Sequence, residues 1–125
     1  MKLSWGRLVC AVFFACVQAP HAWAHAKLVR SDPSARAVLA RAPATIQLWF
    51  NEKLEPAYSS AELRDGAGAV LSTQKAIPSP SNAKQLVLKI PSLADGDYIV
   101  RYRVLSVDGH IIESEFRFSV RAKKQ

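Results

Sequence analysis

The sequence predicts an all-β protein, an antiparallel β-sandwich or Greek-key barrel of seven strands. Several runs alternate apolar and polar residues with a period of two, as half-buried strands do. Turn-forming pairs fall between them: Asp32-Pro33, Asp65-Gly66 with Gly68, Pro78-Ser79-Pro80, Asp95-Gly96 and Asp108-Gly109. No stretch of the domain sustains a helical period.

Residues 1–24 stand apart. Lys2 and Arg7 give a positive start, residues 8–17 form an uncharged apolar run, and Ala22-Trp23-Ala24 supplies the small-x-small pattern of a cleavage site. A run of about ten residues is half the ~20 that a membrane-spanning helix needs. We therefore expect a cleaved secretory signal, no stable membrane insertion after cleavage, and a mature domain over 25–125 that begins with His25.

Within that domain, strands are expected near 26–30, 44–50, 58–64, 69–73, 85–90, 97–105 and 112–120. The first leads into Asp32-Pro33. In the second, Ile46, Leu48 and Phe50 share a face, and the third and fourth flank the glycine-containing turn at 65–68. Leu86, Leu88 and Ile90 align in the fifth, and Tyr98, Val100, Tyr102 and Val104 in the sixth, with Arg101 and Arg103 opposite. Phe116, Phe118 and Val120 alternate with Glu115, Arg117 and Ser119 in the seventh. Residues 76–84 carry the weakest pattern and are expected to form a flexible loop.

Cleavage at residue 24 would remove both cysteines (Cys10, Cys16), the sole methionine (Met1) and two of the three tryptophans, leaving Trp49. An exported domain without cysteines is held by its core alone, and about 100 residues suffice for one. The full chain carries a net charge of +7. Its basic residues are scattered, and the single cluster is Arg121, Lys123 and Lys124. That describes a solvated surface, not a nucleic-acid footprint.

The chemistry-bearing residues are few. His25 and His110 are the only histidines of the mature domain. Asp108 and His110 flank Gly109, and side chains at i and i+2 of extended backbone point the same way. A leading His25 would add a free α-amine, with a pKa near ~7.7–8, to its imidazole. If the strands alternate up and down, the chain start, Glu52 in the 51–53 loop and the 106–111 loop share one end of the sandwich. An amine, two imidazoles and a carboxylate, with no sulfur, suit square-planar or tetragonal Cu(II), with Ni(II) the geometric competitor. Zinc takes the same donors but prefers a tetrahedron, and Cu(I) favours the sulfur ligands missing here. The amino-terminal copper motif with histidine third is excluded, because Lys27 holds that place.

The segments "HAKLVRSDP", "IQLWFNEKLEP", "GDYIVRYRVLSVDGH" and "FRFSV" together resemble the CopC/PcoC family of periplasmic copper-binding proteins over nearly the whole mature chain. The resemblance implies an immunoglobulin-like Greek-key β-barrel that binds Cu(II) in the periplasm, as a monomer, in copper resistance or trafficking. It implies His25, Asp108 and His110 as ligands and Glu52 as an accessory ligand or neighbour. It also implies delivery to an inner-membrane transporter of the CopD type. Some members carry a methionine-rich loop for Cu(I), where this chain has "YSSAELRDGAGAVLSTQKA" without a methionine. Two other classes stay in view. A copper oxygenase like the polysaccharide monooxygenases also uses a leading histidine, but needs an open equatorial position that Asp108 would fill and a flat carbohydrate-binding face. A β-sandwich interaction module would need no metal. We expect a binder and not an enzyme.

Overall fold

The alternating runs assemble into two four-stranded sheets packed face to face. The computed structural model describes residues 26–72 and 75–123, so the expected signal and His25 lie outside the described residues. In chain order the strands are β1 (Leu28–Asp32), β2 (Val38–Leu39), β3 (Thr45–Phe50), β4 (Ser60–Asp65), β5 (Ile77–Ser79), β6 (Asn82–Lys89), β7 (Gly96–Leu105) and β8 (Ile111–Val120). A short 3-10 turn spans Pro56–Tyr58. One sheet runs β1-β3-β6-β5 and the other β2-β8-β7-β4. All neighbours are antiparallel except β2, which lies parallel to β8.

Period-two patterning decides which side chains meet between the sheets. Ile46, Leu48 and Phe50 of β3 and Leu86 and Leu88 of β6 face Tyr98, Val100, Tyr102 and Val104 of β7 and Phe118 and Val120 of β8. Each is at most 6% exposed, and burying a large aliphatic or aromatic side chain contributes about 1.5–3 kcal/mol. Phe50 and Tyr102 meet edge to face across the sandwich, centroids 5.5 Å apart. Tyr98 stacks on Phe118 at the same separation and donates its hydroxyl to the Ala94 carbonyl at 2.5 Å. Ile99 breaks the alternation: it faces outward yet is only 7% exposed. Its register neighbours are Arg64 and Arg117, whose aliphatic stems can cover it.

The all-β expectation holds, with eight strands in place of seven. Two expectations need correction. The strand expected over 69–73 is not found in its described part: 69–72 return along β4 through one Val70–Arg64 bridge and a Leu71 N–H to Leu63 carbonyl bond of 2.8 Å, and residue 73 lies outside the described residues. The segment 76–84, expected as a loop, contains β5 and the start of β6.

The extra strands leave the up-and-down order intact, because each belongs to a pass divided between the sheets. β1 runs away from the Leu28 end in the first sheet, and β2 continues in the same direction in the second. Residues 69–72 begin the return beside β4, and β5 completes it in the opposite sheet. The segments 26–27, 51–54 and 106–110 therefore do share one end.

Candidate metal centre

Three chain segments are knitted together at that end. Lys27 donates its N–H to Asn51 Oδ1 at 2.6 Å, and its carbonyl accepts the Asn51 N–H at 3.0 Å. Val107 N–H then donates to the Lys53 carbonyl at 3.0 Å, Leu54 bridges Ser106, and Glu55 N–H reaches the Leu105 carbonyl at 2.8 Å. These bonds carry the order of the sheets up to the turn joining β7 and β8.

That turn holds Asp108 and His110. Ser106 N–H donates to the His110 carbonyl at 3.0 Å, and Gly109 N–H to the Ser106 carbonyl at 2.9 Å. Gly109 has φ +92°, a backbone region that residues with a Cβ occupy only at a cost. Asp108 Oδ1 accepts from the Ser106 hydroxyl and, at 3.2 Å, from the His110 N–H. His110 Nδ1 lies 3.1 Å from the same oxygen, with the two side chains 28% and 32% exposed. The Ser106 hydroxyl, followed by the bonds from His110, holds the Asp108 carboxyl below its ordinary value of 3.8 against the opposing effect of partial burial. The carboxylate form is the one that binds a cation.

The pair fits a metal site in chemistry and spacing. Adjacent donors on a square-planar ion with bonds of about 2.0 Å stand about 2.8 Å apart, close to the 3.1 Å between Nδ1 and Oδ1. Among the described residues, no group of three or more His, Cys, Asp or Glu side chains is placed to hold a metal ion. The structure thus joins Asp108 and His110. Half-buried Glu52 sits in the neighbouring segment and is not gathered with them, while His25 lies outside the described residues. Sequence reasoning missed Ser106, which is 1% exposed, and Asn51, which ties down the start of β1. A serine two residues before an aspartate in a turn is the local signal that points to the first.

A family model described as the CopC domain matches residues 28–121. Copper resistance protein C of Xanthomonas campestris pv. juglandis is 38% identical over 106 residues, which cover 80% of this chain and 83% of that protein. Protein YobA of Escherichia coli K12 is 34% identical over 116 residues, 92% of this chain and 94% of that protein. Among solved structures, the crystal structure of CopC from Methylosinus trichosporium OB3b matches with a TM-score of 0.76 and 38% identity, covering 81% of this chain and 98% of that one.

Proposed function

The chain belongs to the CopC domain family, and from that premise we propose that it binds one Cu(II) ion in the periplasm and serves copper resistance or trafficking. The observation that carries this reading is the convergence of His110 Nδ1 and Asp108 Oδ1 within 3.1 Å. It lies at the end of the sandwich where the described chain begins, at buried Ala26. A mature chain starting at His25 would add an amine and a second imidazole there, and would complete a set of three nitrogens and one oxygen that favours Cu(II). Asp108 supplies the charge that offsets the ion, and Glu52 is a neighbour that could replace a lost oxygen donor.

Cu(I) should be held poorly, because Met1 is the sole methionine and both cysteines fall within the expected signal. Release to an inner-membrane acceptor of the CopD type suits a site built at an exposed end. We read the protein as a binder and not an oxygenase: Asp108 occupies a position that oxygen chemistry would need open. Electron paramagnetic resonance of processed protein with one equivalent of Cu(II) tests the reading. A tetragonal spectrum with nitrogen hyperfine structure is expected. His110→Ala should lose nitrogen coupling and more affinity than Asp108→Ala, since no other imidazole is left to replace it. Full affinity and an unchanged spectrum in His110→Ala would overturn the assignment.

A further inference from the structure

We propose that Ser106 is a positioning residue, whose buried hydroxyl orients the Asp108 carboxylate for the metal. The inference rests on the Cu(II) reading of the Asp108–His110 pair. Ser106 is 1% exposed and follows directly on the last residue of β7. Its main chain is held by three partners: the bridge to Leu54, the N–H bond to the His110 carbonyl at 3.0 Å, and the Gly109 N–H on its own carbonyl at 2.9 Å. The direction of its hydroxyl is therefore set by the sheet.

That hydroxyl is directed at Asp108 Oδ1 and also lies 3.4 Å from the His110 carbonyl. Asp108 has no comparable anchor, being an exposed residue of the turn. The order thus passes from the strand to Ser106, from its hydroxyl to the carboxylate, and from the carboxylate to the His110 ring at 3.1 Å. A donor rotamer fixed in advance costs less entropy on binding, and partners that orient ligands in this way affect metal affinity about ten- to a hundredfold. Alanine would remove the hydroxyl while keeping the Cβ. The core beneath Ser106 has no need of the oxygen, whose contacts both lie in the turn.

The test compares Cu(II) affinity by competition titration in processed wild type, Ser106→Ala, Asp108→Ala and the double variant, with metal-free melting to check each fold. Ser106→Ala should bind about ten- to a hundredfold more weakly. The double variant should bind no more weakly than Asp108→Ala, because the hydroxyl acts on the metal through the carboxylate, its weaker 3.4 Å contact being to a carbonyl that is no ligand. Losses that multiply in the double variant would mean a merely structural role, and unchanged affinity in Ser106→Ala would also overturn the proposal. A second measurement needs no variant: side-chain coupling constants of Asp108 in the metal-free wild type should report one rotamer. Averaged couplings would refute the proposal even if Ser106→Ala failed to fold. A wild type that takes up no Cu(II) would refute the copper reading itself, and is thereby told apart from a failure of Ser106 alone.

Discussion

Replacing Gly109 with alanine separates the strain of the turn from its use. The backbone there has φ +92°, and an added Cβ would meet no heavy atom within 4 Å. The cost is therefore conformational, not steric. Left-handed backbone costs a residue with a Cβ about 1–2 kcal/mol, and the stiffer unfolded chain returns about 0.4–1 kcal/mol. Roughly 1 kcal/mol of destabilisation remains, and in a domain of about 100 residues that lowers Tm by roughly 4–8 °C. Gly68 provides the control, with φ +90° and equally open space in the turn after β4, at the other end of the sandwich from Asp108 and His110. Metal-free Gly109→Ala and Gly68→Ala should lose similar amounts of Tm by circular dichroism. Only Gly109→Ala should also weaken Cu(II) binding, since it alone shifts the residue between the two proposed ligands. An unchanged Tm in Gly109→Ala, or an equal loss of Cu(II) affinity in Gly68→Ala, would refute the reasoning.

Two further outcomes are expected. Protein carrying one extra residue before His25 should bind Cu(II) more weakly than protein cut at residue 24, because an amide would replace the amine proposed to chelate the ion; competition titration of the two forms checks this. Asp97 is held below 3.8 by the Ser119 hydroxyl and then by Arg121, with bonds of 2.6 and 2.9 Å. A depressed carboxyl contributes stability above its unfolded value and loses it as pH falls through the folded one. Asp97→Asn should therefore lower Tm at neutral pH, and its difference from wild type should shrink as pH drops through and below 3.8.

What could be read from the residues was whatever repeats locally. The strands β3, β6, β7 and β8 each bury one face, so a period of two was visible in them. The two residues of β2 are too few to show a period. Pro78 and the turn around it masked β5, which is a strand only because β6 pairs with it. Ile99 looked outward in the pattern and is covered only in the assembled sheet. Asp108 and His110 were legible because they stand two positions apart, on either side of Gly109, and the shared end followed from strand parity. Ser106 was only half legible: a serine two residues before an aspartate in a turn points to it, but does not reveal that it is buried beneath that turn.

The divided passes also determine how the sandwich can come apart. β1 and β2 are end strands of opposite sheets, and β4 and β5 are the end strands on the other side. Continuous chain laces both long sides together, so the sheets cannot swing open like the covers of a book. Peeling one edge pulls on the other sheet, and amide protection in both should be lost in a single cooperative event. Only the two ends of the sandwich are closed by turns alone. A turn there can exchange a cargo or alter its side chains while the laced body stays closed.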